Sequence, residues 1–430
     1  MRDIAVATVI LGLVPFIFVR PSVGILLWTW ISMMSPHRLT YGWAFWFPFA
    51  QIVAICTLIA LPFSRQRHRF PWGPIPVLLM ILMIWMTVTT FYALNDPDTV
   101  FFHWSKAMKI HAMLLVTMIA IRGRRHIEQL IWVIVLSIGY FGVKGGVWTV
   151  LTGSRGIVWG PPRSYIEGNN ELALALVMLI PLMYYLYHTS TRRWIRYLLV
   201  FSMVSCGFSI LGSHSRGAFL AILSAGLFLA IKSRRKLLTG VIVVVSLVGM
   251  IAVMPGAWFD RMESIQNYEQ DGSSQARLYA WQTMWNLARD RPIVGGGFDT
   301  AAPVIYQRYA PDPTGPVYSS HSIYFQALSE HGFPGLFLFL AFGIAAWRSA
   351  RRLSVECAQS PGLEWVPTLM RMIQVSLLGF AVGGMFLGLL HYDLPYYLAT
   401  IIVLVGATVR EQQKAQAAVV LSTGAAAQRA

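Results

Sequence analysis

Two guanidiniums and an imidazole stand where they could work on one anionic substrate. Arg216 lies in Gly212-Ser213-His214-Ser215-Arg216-Gly217-Ala218, a tight turn between two apolar runs. An arginine at the edge of hydrocarbon faces a cavity, pairs with an anion, or snorkels to headgroups. His214 and Ser215 gather further donors beside it, at a helix start that attracts anions. Arg277 follows Ser273-Ser274-Gln275-Ala276, where a serine caps a helix and a cation in the first turns opposes the dipole unless an anion compensates. A surface ion pair with Glu263 or Asp271 accounts for it equally well. His321 precedes the apolar stretch that starts at Ser322. A neutral imidazole there can take a proton from a hydroxyl nucleophile, or simply cap the helix. His331 is a rival base, and Glu330 a partner for it or for an arginine.

Other basic residues could line the same site. Lys106 and Lys109 share one face near the end of a span, close to His111; snorkelling is the plainer reading. Arg155 and Arg163, in the loop 152–169, could contact phosphate or sugar, although a solvated loop residue is the default. The sequence has no Walker motif, HExxH or paired CxxC. Asp96-Pro97-Asp98 has the form of a metal-binding diad but also follows from an acidic loop. No metal, cofactor or nucleic acid is called for.

These residues need a scaffold, and the composition says which kind. The chain has 430 residues, 56% hydrophobic and 12% charged, against about 25% charged in soluble domains. Its apolar runs approach the ~20 residues that span a bilayer, and the alternation of a β-barrel is absent. The fold expected is therefore all-α, a polytopic helical bundle. The net charge of +16 sits mostly in short loops, where it reports topology and suits anionic lipids more than nucleic acid. The three cysteines, Cys56, Cys206 and Cys357, form no framework.

Spans read at roughly 43–63, 74–94, 104–121, 127–151, 170–188, 194–212, 216–231, 237–254, 322–347, 366–390 and 393–409. Residues 1–35, broken at Arg20-Pro21, hold either two spans or one span plus an interfacial piece. The basic loops at Arg65–Arg69, Arg122–Arg125, Arg192–Arg196, Lys232–Lys236 and Arg348–Arg352 are cytoplasmic by the positive-inside rule. That places 95–103, 152–169, 212–216 and 255–321 on the opposite side. About twelve spans result, with both ends cytoplasmic if 1–35 crosses once. The chain divides into helices over 1–254, a long loop over 255–321 with a helix at 274–289, helices over 322–409, and a tail over 410–430 expected to be disordered.

In order and sidedness these motifs resemble the O-antigen ligase superfamily. Ser215-Arg216-Gly217-Ala218 is similar to its first arginine motif and Arg277 to its second. His321, Tyr324, Gln326, Glu330, Gly332 and Gly335 are similar to its histidine motif, with Ser322 and Phe325 where the family has Asn and Leu. Arg20-Pro21-Ser22-Val23-Gly24, Trp28, Trp30 and Met34-Ser35-Pro36-His37-Arg38-Leu39 resemble a subgroup of O-glycosylation ligases associated with exosortase systems.

The resemblance implies a GT-C-like, metal-independent, inverting glycosyltransferase of the bacterial inner membrane, with its active site facing the periplasm. The donor is a glycan on undecaprenyl diphosphate. The acceptor is a sugar hydroxyl of lipid A–core, or in relatives a protein hydroxyl or a growing polysaccharide. His321 would be the base, Arg216 and Arg277 would hold the diphosphate, and the spans near Arg216 would form a polyprenyl groove. Substrate contacts are expected from His214, Ser215, Arg155, Arg163, Lys106, Glu330 and Tyr324. A lipid-linked glycan transporter would need charges deep in several spans and repeated halves, and neither is visible.

Overall fold

The computed structural model describes residues 1–64, 69–153, 156–232, 236–252, 256 and 272–427. The described residues are helical and contain no strand. Among the described residues seven helices are long and apolar enough to cross a membrane: α1 (Arg2–Val19), α6 (Gly123–Thr152), α7 (Asn169–Thr189), α8 (Arg193–Gly212), α13 (Ile323–Glu356), α14 (Trp365–Gly383) and α15 (Asp393–Ala427). α2 (Pro21–Met34), α3 (Phe49–Ala60) and α4 (Pro74–Thr90) are shorter and equally apolar. α5 (Pro97–Ala120), α9 (Arg216–Lys232) and α10 (Lys236–Ala252) complete the bundle. α11 (Gly272–Asp290) and α12 (Pro303–Tyr309) belong to the long loop. The chain is a multi-pass membrane protein.

α15 runs through the middle. Its apolar residues surround the whole helix, the pattern of a fully enclosed one, and nearly all of its apolar stretch is buried. α6 and α8 cross closely because small residues meet there: a Cβ on Gly146 would stand 1.9 Å from the Ser205 carbonyl oxygen.

Contacts define two faces. On the loop face, Leu94 N donates to Gly296 O, Asn95 Nδ2 to Asp299 O, and Asn169 Nδ2 to Ser213 O. On the basic face, Arg122 bonds the Arg69 carbonyl and pairs with Glu411 at 3.7 Å. Residues 1–35 form two helices, of which α1 is long enough to cross a membrane and α2 is shorter. The Gly42 and Ala44 amides both donate to Asp3 Oδ1, so the start of α1 sits on the loop face with 42–44. The described chain thus begins on the loop face and runs to the basic face at Glu411. The tail expected to be disordered differs: α15 continues to Ala427. Its Ala, Gln, Lys and Glu residues are strong helix formers that extend a helix already nucleated in the membrane.

Candidate functional site

The site is built around a broken helix. Within α13, Gly332 adopts φ 67°, and Pro334 follows in the first turn below the break, where a missing N–H is tolerated. The break releases the Ser329 and Glu330 carbonyls, which accept from Gly296 N at 2.7 Å and Gly297 N at 3.0 Å, while Phe333 N donates to Pro292 O at 2.9 Å. A Cβ on Gly332 would lie 2.2 Å from the Ile293 carbonyl oxygen, so only glycine fits. The Gly295-Gly296-Gly297 run of the long loop is thereby bound to the outer end of α13.

α11, whose apolar stripe gives a helix over 274–289 in the sequence, docks on the same end. Trp281 Nε1 donates to Ser320 O at 3.0 Å, and its ring stacks on Phe325 with 5.2 Å between centroids. Arg277 lies one turn earlier on that face. It is within electrostatic reach of both the His321 imidazole and the Glu171 carboxylate. Burial, and then the Arg277 charge, hold the His321 imidazole below the usual histidine value, which keeps it neutral and able to accept a proton near pH 7. Its Nε2 is 3.1 Å from Ser319 Oγ.

Arg216 opens α9, and its turn joins the same rim through the segment after α14. A Cβ on Gly217 would stand 3.3 Å from Phe386 Cβ, and one on Gly388 would stand 3.0 Å from Ser320 Oγ and 3.7 Å from the His321 nitrogen. The Ser215 hydroxyl accepts from Ala218 N at 3.3 Å, as a helix cap does. Four of the five described non-glycine residues with left-handed backbones lie around this rim: Arg163, His214, Asp299 and His321. Such strain persists where surrounding structure enforces it and concentrates at functional sites.

Beneath the rim is a cleft of about 430 Å³, lined among others by Tyr165, Glu167, Glu171, Asp299, Gln326 and Glu330. It is rich in carboxylates, where the sequence suggests a cationic site. Burial, and the charge of Glu330, push the Asp299 carboxyl above its usual value, against the opposing pull of His103. Glu330 Oε2 accepts from His391 Nε2 at 2.7 Å and lies 3.6 Å from His331 Nε2; Gln326 Nε2 donates to its Oε1 at 3.0 Å. His331 Nδ1 is 2.8 Å from Thr89 Oγ1. The facing ligand atoms of Glu330, His331 and His391 lie within 4.8 Å of one another, a set of types that could hold a metal ion. A carboxylate with hydrogen-bonded imidazoles also stands on its own as a buried polar network.

The other candidates distribute as follows. Lys106 Nζ sits 3.8 Å from the centroid of the Tyr165 ring, at the cleft wall. Arg163 stacks on Trp46 at 4.3 Å. The Tyr324 hydroxyl donates to Ala381 O at 2.9 Å, a tie between α13 and α14 and not a cleft contact. Trp285 packs edge-on to Phe333. Arg155 lies outside the described residues. An apolar groove of about 480 Å³ does exist beside α9, but its lining, Ala230 to Val245, is at the far end of that helix from Arg216. His391 and Asp299 are site residues the sequence reading misses.

The fold and site define a class: a multi-pass helical membrane protein whose loop face carries a polar cleft lined by carboxylates, with His321 next to its lining residue Ser320 and Arg277 acting on that histidine. Residues 201–340 match the family model described as O-Antigen ligase, and residues 1–191 match one described as a family of unknown function. Over residues 201–340 the chain thus matches the O-antigen ligase superfamily that its motifs resemble. No curated protein matches the chain.

Proposed function

We propose that this protein transfers a glycan from undecaprenyl diphosphate to a sugar hydroxyl of lipid A–core at the periplasmic face of the bacterial inner membrane. The observation that carries the reading is Arg277 within reach of His321 at the mouth of a polar cleft, inside the O-antigen ligase region.

In this reading the acceptor hydroxyl enters the cleft and its proton passes to His321 as its oxygen bonds to the anomeric carbon. The bond from that carbon to the diphosphate oxygen breaks on the opposite face, inverting the centre. The electron pair leaves with undecaprenyl diphosphate, whose growing charge Arg277 and Arg216 stabilise. Glu167, Glu171 and Glu330 accept hydrogen bonds from sugar hydroxyls, which suits a carboxylate-lined cleft better than a diphosphate would. The diphosphate stays at the arginine rim. The donor is already activated, so neither nucleotide nor metal enters a step.

A protein hydroxyl or a growing polysaccharide is the alternative acceptor, favoured by the N-terminal motifs that resemble O-glycosylation ligases. The test is transfer by purified wild-type and His321→Ala protein, with undecaprenyl diphosphate-linked glycan and lipid A–core. Transfer by wild type and a loss of about 100-fold or more in the variant is expected. Equal rates would remove His321 as the base and point to His331 or His214. A folded wild type inactive on lipid A–core but active on protein or polysaccharide would move the acceptor.

A further inference from the structure

A second basic cluster lies on the loop face, and all of it comes from the region matched by the family of unknown function. Arg38, in the turn after α2, stacks on Phe45 at 4.7 Å and reaches Trp46 at 5.6 Å. Arg163, from the loop before α7, stacks on the same two rings, Trp46 at 4.3 Å and Phe45 at 5.9 Å. The two guanidiniums repel each other, and Arg38 repels Lys106 as well. Lys106 is held over the Tyr165 ring on the cleft wall.

Three like charges from separate stretches of chain thus rest on aromatic rings, the two guanidiniums on Phe45 and Trp46 and Lys106 on Tyr165. Among the described residues no carboxylate lies within 4.0 Å of any of the three charged groups. Asp393 exerts a longer-range pull on Lys106, and the Glu167 carboxylate accepts from the Arg163 backbone nitrogen at 2.7 Å and not from its guanidinium. One guanidinium nitrogen of Arg38 is buried without a hydrogen-bond partner. Cation–π contacts satisfy the faces of the guanidiniums and leave their N–H edges to bind something else. Such an arrangement is costly until an anion joins it.

We propose that Arg38, Lys106 and Arg163 form an anion site, distinct from Arg216 and Arg277, that holds the phosphate ester of a membrane-borne molecule. Phosphate offers several acceptor oxygens to converging edges, which guanidinium forks match. Trp46 and Trp43, 64% and 53% exposed, place the site at the height where aromatic side chains meet lipid headgroups. The site opens beside the cleft, so a bound phosphate would tether its molecule within reach of His321.

The test is calorimetric titration of the full chain, in phosphatidylcholine nanodiscs, with inorganic pyrophosphate. Two classes of site are expected in wild type. Arg38→Gln/Arg163→Gln should weaken one class by about tenfold or more, the scale of one charge-assisted hydrogen bond. Arg38→Lys/Arg163→Lys should restore most of it, which separates lost charge from lost fold. Arg277→Ala should leave this class intact and affect only the other, so this inference and the ligase reading fail separately. Wild-type binding by the Gln pair would overturn the inference. Adding phosphatidylglycerol to the nanodiscs identifies the source: competition with pyrophosphate marks a bulk lipid headgroup, and its absence marks a phosphate carried by a glycan.

Discussion

Residues 1–191 and residues 201–340 supply the two sides of one cleft, and they hold their charges by different means. In the second region the backbone does the holding. Gly296 and Gly297 amides grip the carbonyls freed by the break in α13, and Trp281 grips the Ser320 carbonyl beside His321. In the first region the basic groups rest on aromatic rings, Arg38 and Arg163 on Phe45 and Trp46, and Lys106 on Tyr165. Backbone bonds fix direction to a fraction of an ångström. Ring faces fix position loosely and tolerate change. The difference suits a division in which one side sets the geometry of bond exchange and the other supplies attraction.

The sharpest way to break this comparison is to remove one side chain from each side, a cation from the second region and a supporting ring from the first. Arg277→Ala should lower transfer by about 100-fold or more, as loss of a group aimed at developing charge does. Trp46→Ala should raise KM for the acceptor by less than about tenfold and leave kcat in place, because it loosens only the rim. Equal losses in a transfer assay would erase the distinction.

Next in size is the backbone grip itself. Gly332→Ala combines a left-handed backbone with a contact at 2.2 Å, and should cost about 2–4 kcal/mol in detergent-solubilised thermal unfolding. Gly343→Ala, which meets nothing within 4 Å, should be neutral or stabilising by up to about 1 kcal/mol. Thr89→Val should cost about 1–3 kcal/mol by the same measurement, since it strands the buried His331 Nδ1.

The smallest effect concerns pH. A base works only when unprotonated, so activity is lost as pH falls through its pKa. Burial and Arg277 hold His321 below 6.5, so the acid limb of kcat/KM should lie below pH 6.5 in wild type. In the residual activity of Arg277→Ala it should move upward. An unmoved limb would mean that another group titrates.

Much of this was legible in the chain. The apolar runs give the bundle, and the stripe of Leu278, Trp281 and Trp285 gives α11. What escaped has a physical cause. Residues 384–392 read as the end of one apolar span and the start of the next, with nothing local to mark a lining segment. Yet α14 stops at Gly383, and after a 3-10 turn at Gly384–Phe386 the irregular stretch beyond brings Gly388 to Ser320 and His391 to Glu330. That pairing spans 61 positions, beyond any periodicity. The carboxylate lining arises likewise, since Glu171, Asp299 and Glu330 converge only through the fold. Residues 1–35 stay open in the sequence because the apolar run after Arg20-Pro21 is short, 14 residues in α2; the Asp3 contacts with Gly42 and Ala44 place the start of α1 on the loop face.

The break at Gly332 also has a mechanical consequence. A continuous rod through a bilayer transmits every tilt imposed by lipids on its lower half to its upper end. Here the upper piece, Ile323 to His331, is fastened to the loop above it and joined to the rod below through one pivot. A tilt imposed on the lower half would therefore be taken up at that pivot, while the hydrogen bonds from Gly296 and Gly297 hold the residues at the cleft in place.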